Sequence, residues 1–319
     1  MTLIAAFRTS EGVVICADSQ ETLGNPTIYG AHDYRCTVNK LQPQTQVAYQ
    51  WVCGGSGDGD LIDGFIERLR DEIACWSSDL KAPDIKDKLR LINHDYRSHE
   101  VAASGVADEG LDFLFCLKPQ DSESEPLLFK IGRSVRPVSD YALIGWDEGI
   151  YRHDVQRFYR ENMPALPNIL LGIHVLLLAI ATNNNCGPPI KIIVATKSAI
   201  SEVPVKHVTE LRNRVNLFNK LLDQITLDLS DTSVPIQEFR DRVTEFRDNA
   251  VILHDHFINS HVWGSFLQVL GDKAWKPDPV QEMPPGSVVT STPEGEGRIV
   301  EFTHKMTFLE DLLDDDLND

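Results

Sequence analysis

Residues 2–22 read TLIAAFRTSEGVVICADSQET. Residues 3–8 and 12–17 are two short runs rich in apolar and β-branched side chains, and TSEG between them has the length and polarity of a hairpin turn. A hairpin returns the end of its second strand to the start of its first, so Asp18 comes back close to Thr2. A hydroxyl at one end of an apolar ribbon thus faces a carboxylate at the other. The plainer reading of Thr2 is that small residues at position two permit removal of Met1 and that an opening strand needs no function. The remaining sequence decides between the two readings.

Runs of the same kind continue outward from this ribbon. After a polar loop containing Gly24, Asn25, Pro26 and Gly30, the runs VNKLQPQTQ and VAYQWVCGG read as a second pair of strands. GGSGDGD breaks the pattern, and DLIDGFIERLRDEIACW follows with Leu61, Ile62, Phe65, Ile66, Leu69 and Ile73 at helical spacing and Asp58 or Asp60 as a cap. A second helix fits PDIKDKLRLINHDYRSHEVA, with Pro83 in its opening turn. Strands return at LDFLFCLK, PLLFKIG and YALIGW, helices at DEGIYRHDVQRFYREN and PNILLGIHVLLLAIATN, and a strand at KIIVATKS. Strand groups alternating with helix pairs imply layered α+β packing; a doubly wound parallel sheet would alternate singly.

The character changes near residue 203. Two helical stretches follow, then a Pro- and Gly-rich segment, KPDPVQEMPPGSVVTSTPEGEGR, that reads as a linker, then the acidic end FLEDLLDDDLND, read as a solvated terminus. The expected division is a domain over 1–203 and an extension over 204–319 made of helices, linker and acidic tail.

Composition limits the function classes. The 319 residues carry a net charge of -18, which argues against a general nucleic-acid or anionic-membrane surface. The six cysteines, Cys16, Cys36, Cys53, Cys75, Cys116 and Cys186, are scattered without a CxxC pair. Several lie in apolar runs where a thiol acts as a small hydrophobe. The opening has neither a basic start nor a cleavage site, so a reducing cytoplasm is expected, without signal peptide or disulfide framework. The apolar run ILLGIHVLLLAIA is short for a membrane span and reads as a buried core helix.

If Met1 is removed, Thr2 carries a free α-amine beside its own hydroxyl, a nucleophile and a base in one residue. The hydroxyl needs an ammonium to lower its pKa and a carboxylate to hold that ammonium. It also needs backbone N–H groups aimed at the developing oxyanion. Lys40 in VNKL, Asp18, and Gly54 between an apolar strand and a helix supply these parts in order. From spacing alone, such a set could occur in many chains.

The opening resembles the start of a mature β-type subunit of the 20S proteasome, a pattern shared by its bacterial relatives. That family begins with its catalytic Thr and continues into a GVVxAADSRxT-like segment, here GVVICADSQET. The count from Thr2 to Asp18 matches the family's count without a gap. Thr22 falls on its substrate-contacting Thr. NKLQPQ matches its Lys segment at Lys40, after a longer loop, and WVCGGSGDGD places Gly54 on its oxyanion-hole glycine. The resemblance covers residues 2–200, strongly over the first sixty. It implies the N-terminal-nucleophile (Ntn) hydrolase fold, a four-layer αββα sandwich, here with a C-terminal helical extension. It further implies a threonine-type endopeptidase acting on peptides or unfolded proteins, assembly into a ring or related homo-oligomer, and no cofactor or metal.

Two departures bear on activity. LIGWDEG puts Trp146 where the family has an accessory Ser. TNNNCGPP aligns with RDxxSGG, so Asn183 stands for an Asp and Cys186 for a Ser. Asn183 can hydrogen-bond but carries no charge. A catalytically silent scaffold subunit and an Ntn amidase for a small-molecule amide therefore stand as alternatives. A third possibility is that 204–319 binds a regulatory partner. Most family members shield the Thr behind a propeptide; here a methionine aminopeptidase has to expose it. Of the other signals, a metal site in HDHFINSH would want His at i and i+4 on one face with an acidic partner; His254 and His256 point to different faces of a helix, so these and His261 read as ordinary surface and partly buried histidines. The glycines at 54, 55, 57 and 59 have no GK[ST] after them, so no phosphate loop is expected. Trp51, Trp76 and Trp263 read as core or interface residues.

Overall fold

The computed structural model describes residues 2–23, 34–106, 110–120, 124–145, 148–183, 186–259, 288–290 and 298–300. In chain order the first strands are β1 (Leu3–Thr9), β2 (Gly12–Ala17), β3 (Gln20–Leu23), β4 (Tyr34–Thr37), β5 (Leu41–Thr45) and β6 (Tyr49–Ser56). Helices α1 (Gly59–Ala74) and α2 (Ala82–Tyr96) follow, then a π-helical turn at Arg97–Val101 and the one-turn α3 (Ala102–Ser104). Next come β7 (Asp112–Pro119), β8 (Leu127–Ile131), β9 (Val135–Pro137), β10 (Tyr141–Gly145), α4 (Glu148–Phe158), α5 (Ala165–Thr182), β11 (Lys191–Thr196) and β12 (Ile200–Glu202). The long helices α6 (Val205–Asp228) and α7 (Ile236–Asn259) close this region. These elements lie in a compact unit spanning Met1–Ala274.

The fold is mixed α+β with two antiparallel sheets. One sheet has the order β10-β1-β2-β11-β12 and the other β5-β6-β7-β8-β9. The expected opening hairpin forms, with Ile4 opposite Ala17 and Thr9 opposite Gly12. Gly12 sits at φ +147°, and a Cβ there would lie 2.1 Å from the Ala195 carbonyl oxygen, so the turn needs glycine.

The central strands are apolar throughout because both of their faces are buried. Leu3, Ala5 and Phe7 point into a cluster shared with α4, α5 and α6, while Ile4 and Ala6 point into a second cluster between the sheets. On β6, Val52 joins that middle cluster, and Trp51 and Cys53 join a third beneath α1 and α2. Trp51 and Trp76 are core residues as expected, whereas Trp263 lies outside the described residues. Asp58 caps α1 by accepting the Leu61 N–H at 3.2 Å. Helix α5 is long and apolar enough to cross a membrane by length and composition, yet half of it is buried inside the protein.

Helices α6 and α7 form an antiparallel pair with their own regularity. On α6, Val208, Leu211, Val215, Phe218, Leu222 and Ile225 recur at alternating steps of three and four, and Leu229 continues the row. On α7 the same steps run through Ile236, Phe239, Val243, Phe246, Ala250 and Leu253. This is the heptad pattern of two helices packing along a seam, and the Phe218 and Phe246 rings meet across it at 4.8 Å. Val208, Leu211 and Val215 are buried in the core. Beyond them no described residue of either helix is fully buried.

The second unit spans Trp275–Asp319. From within the stretch read as a linker, β13 (Val288–Thr290) pairs antiparallel with β14 (Arg298–Val300), which starts on its last residue. VVT and RIV are short β-branched runs separated by turn-forming PEGEG, which composition read as linker masked. The acidic tail lies outside the described residues.

Candidate active site

The site gathers at the end of the opening hairpin. Asp18 follows the last residue of β2, and its side chain is fully buried. Its Oδ1 accepts the Leu3 N–H at 3.1 Å; its Oδ2 accepts the N–H groups of Gln20 and Gly187, each at 3.2 Å. Lys40 Nζ donates to both oxygens, at 3.0 and 2.9 Å. The Lys40 side chain is 7% exposed, so the ion pair is shielded from bulk water. A buried carboxylate is tolerable only when paired and hydrogen-bonded, and Asp18 has both kinds of partner. Three distant chain segments, at residues 3, 40 and 187, are thereby fastened to one carboxylate, along with the neighbouring Gln20 N–H.

Thr2 is buried, 7% exposed, and precedes the residue whose N–H Asp18 holds. The Asp18 N–H returns to the Leu3 carbonyl at 3.4 Å. On the other side of β1, Leu3 pairs with Gly145 at the end of β10. The chain start is thus fixed between β2 and β10. Further backbone bonds run from Ser19 N–H to the Gly187 carbonyl at 3.1 Å and from Val38 N–H to the Ser19 carbonyl at 2.8 Å. They bring the stretch leading to Lys40 up to the hairpin end.

Cys186 belongs to the same cluster and is buried. Burial pushes its thiol up to about 11, the Asp18 carboxylate adds to the rise, and Lys40 opposes it. It is therefore an un-ionised thiol at neutral pH. Asn183, half-buried, follows the end of α5; its carbonyl accepts the Cys186 N–H at 3.1 Å. Gly54 lies in β6 opposite Leu41, and a Cβ there would come within 2.7 Å of Leu41, 2.8 Å of Ile4 and 3.1 Å of the Lys40 carbonyl oxygen. The glycine permits β6 to approach the segments carrying Thr2 and Lys40. Thr22 lies on β3 opposite Arg35. Trp146 lies outside the described residues.

The structure therefore draws Thr2, Asp18, Lys40 and Cys186 into one cluster, with Gly54 packed on its edge. Sequence reasoning missed Gly187, whose N–H holds Asp18, and Gly145, which borders the chain start. Both were visible as the glycines in NCGPP and LIGW, the two stretches aligned only for their neighbours. Among the described residues no group of three or more His, Cys, Asp or Glu side chains could hold a metal ion. In HDHFINSH, His254 is exposed beside Asp255, and His261 lies outside the described residues.

No protein-family model matches this sequence, and no curated protein matches it. Solved structures do share its fold. Anbu from Hyphomicrobium sp. strain MC1 is 15% identical with a TM-score of 0.55, covering 73% of this chain and 100% of its own. Anbu from Yersinia bercovieri, described as an ancestral beta-subunit, is 13% identical with a TM-score of 0.56 over the same shares. Anbu from Pseudomonas aeruginosa, solved as a helical assembly, is 16% identical with a TM-score of 0.55, covering 73% of this chain and 98% of its own. These likenesses correct the resemblance drawn from the opening residues. The fold is that of Anbu, a proteasome-like relative, and the assignment to the 20S proteasome β-type subunit is set aside. The opening pattern misled because it is strong only over the first sixty residues, whereas the fold likeness covers 73% of the chain.

Proposed function

We propose that this chain is an Ntn-type amide hydrolase whose nucleophile is Thr2, exposed by removal of Met1. The observation that carries the reading is the buried Lys40–Asp18 pair held against the start of β1. Thr2 Oγ attacks the carbonyl carbon of a peptide bond while its proton passes to the Thr2 α-amine, directly or through a water. The Lys40 ammonium favours the developing alkoxide, Asp18 fixes Lys40, and the Gly54 N–H faces the oxyanion. The tetrahedral intermediate expels the amine, which takes the proton, and leaves an ester on Thr2. Water then cleaves the ester and restores the hydroxyl. The substrate class is a peptide or unfolded protein, with Thr22 contacting it from β3.

In this reading residues 1–203 form an αββα sandwich and residues 204–319 an extension that binds a regulatory partner or supports assembly. The Anbu of Pseudomonas aeruginosa forms a helical assembly, and we extend self-association to this chain. The free thiols of Cys16, Cys53, Cys75, Cys116 and Cys186 suit a reducing cytoplasm.

A silent scaffold is the second reading. It is favoured by the uncharged Asn183 and the un-ionised Cys186 in the accessory positions. Intact mass with and without a peptide epoxyketone separates the two, because that probe needs both the hydroxyl and the free amine of an N-terminal Thr. Loss of Met1 with one adduct on Thr2 supports the hydrolase. Loss of Met1 without an adduct, together with no turnover of peptide or small amides, supports the scaffold.

A further inference from the structure

We propose that Lys191 is a positioning residue of the site, one that fixes Lys40 by holding its neighbour Asn39, a role that rests on the hydrolase reading above. Lys40 lies outside any strand. Residues 38–40 join β4 to β5, and each makes its own bond to another part of the chain. The Val38 N–H donates to the Ser19 carbonyl at 2.8 Å. Asn39 Oδ1 accepts from Lys191 Nζ at 2.9 Å, and Lys40 Nζ donates to Asp18. The bond to Asn39 comes from 152 positions away, at the first residue of β11. It holds the residue next to Lys40 at a point where no strand pairing does.

The register explains the placement. Lys191 pairs with Ala17, the residue before Asp18, so β11 begins beside the buried carboxylate. Gly187, just before β11, donates its N–H to Asp18 Oδ2 and accepts the Ser19 N–H. The stretch 187–191 therefore holds Asp18 from one end and the segment of Lys40 from the other. The Lys191 side chain is 15% exposed, and Glu202 Oε2 meets its charge at 3.0 Å. The two lysines thus have separate carboxylates, Asp18 for Lys40 and Glu202 for Lys191. Lys191 can hold Asn39 without drawing Asp18 away from Lys40, and its charge makes the bond to the amide oxygen stronger than one between neutral groups. A mere staple between β11 and β12 would be redundant. Their backbones already pair at Ile193, Val194 and Ala195, and the Val203 N–H adds a bond to the Ile192 carbonyl. The bond to Asn39 is the one that leaves the sheet and reaches the segment entering β5.

The test uses the full chain and a fluorogenic peptide amide, with active sites counted by epoxyketone labelling taken to completion. The Lys40 ammonium acts on the alkoxide that develops in the transition state, so loosening it lowers kcat and leaves KM in place. Lys191→Met should lower kcat per labelled site on the order of 10-fold with KM unchanged. Lys40 keeps its bonds to Asp18 and is loosened rather than lost, whereas a group displaced outright costs about 10²-fold. Lys191→Arg, which still donates to Asn39 and Glu202, should restore most of the rate. Asn39→Ala should reproduce the loss, and the Lys191→Met/Asn39→Ala double variant should be no slower than either single variant. A purely structural role would lower the number of labelled sites or the unfolding midpoint and leave the rate at each site unchanged. Asn39 is exposed, so Asn39→Ala reads the contact even if Lys191→Met does not fold. A wild-type rate in Asn39→Ala, or losses that add in full, overturns the positioning role and leaves the hydrolase standing. A wild type with neither turnover nor labelling overturns both.

Discussion

Gly145 leaves no room for a side chain beside Thr2: a Cβ on Gly145 would lie 1.8 Å from the Thr2 carbonyl oxygen. Gly145 also sits at φ +125°, where L side chains are strained. Gly145→Ala should therefore lower stability by about 1–3 kcal/mol from backbone strain alone. It should also push the chain start off its position. A misplaced nucleophile costs about 10²-fold in rate, so turnover of a fluorogenic peptide amide should fall far more than stability. Unchanged turnover would show that the position of Thr2 does not govern the reaction.

The Asp18–Lys40 pair should behave as a unit. Asp18→Asn leaves Lys40 charged and without its carboxylate in a buried site, at a cost of about 3–5 kcal/mol. Lys40→Met should cost a similar amount by stranding Asp18. The Asp18→Asn/Lys40→Met double variant should lose clearly less than the sum, because neither charge is then left alone. Urea unfolding of the four proteins measures this, and strict additivity would contradict the coupling. Turnover should fall about 10²–10³-fold in each single variant, as when an electrostatic stabiliser is removed, and should not recover in the double variant.

Thr2→Ala removes the proposed nucleophile without touching the Leu3 N–H that Asp18 holds. Thr2 is buried, so stability should fall by about 1–2 kcal/mol with the fold kept, while amide hydrolysis and epoxyketone labelling both disappear. Thr2→Ser should keep labelling, since hydroxyl and amine remain on one residue. Hydrolysis that persists in Thr2→Ala would remove Thr2 from the reaction.

Buried thiols should make the fold sensitive to alkali. Burial raises Cys116 to about 12, with Arg8 opposing, and burial with Asp18 raises Cys186 to about 11, both from a reference of 9.0. Below pH 9 folded and unfolded states both keep these protons, and the contribution to stability is fully present. Above pH 9 the unfolded thiols ionise first, so stability falls by about 1.4 kcal/mol per pH unit for each thiol until the folded value is reached. Urea midpoints between pH 8 and 11 should show this decline, and Cys186→Ala should reduce its slope by about one proton. At pH 7.5 iodoacetamide should modify the exposed Cys75 and leave Cys186 unmodified in the folded protein.

The sequence by itself determined the local elements and the ends of the opening ribbon. Two apolar, β-branched-rich runs parted by the polar TSEG in residues 3–17, and apolar residues recurring at helical spacing in α1, are short-range signals written in the residues themselves. The short turn likewise returned Asp18 to Leu3, because loop length fixes the register of a hairpin. Local pattern could not decide which distant segments meet at that point. Gly187 reaches Asp18 from 169 positions away, and Gly145 borders Thr2 only because β10 takes the edge beside β1. Strands β9 and β12, of three residues each, are too short to show a period. The heptad rows of α6 and α7 stand in the sequence, but their burial as far as Val215 and exposure beyond it depend on where the body of the protein ends. Contacts across the sheets are set by the competition of many apolar surfaces for one core, so the tertiary structure alone decided how the buried ion pair, the two glycines and Cys186 close around the first residues of the chain.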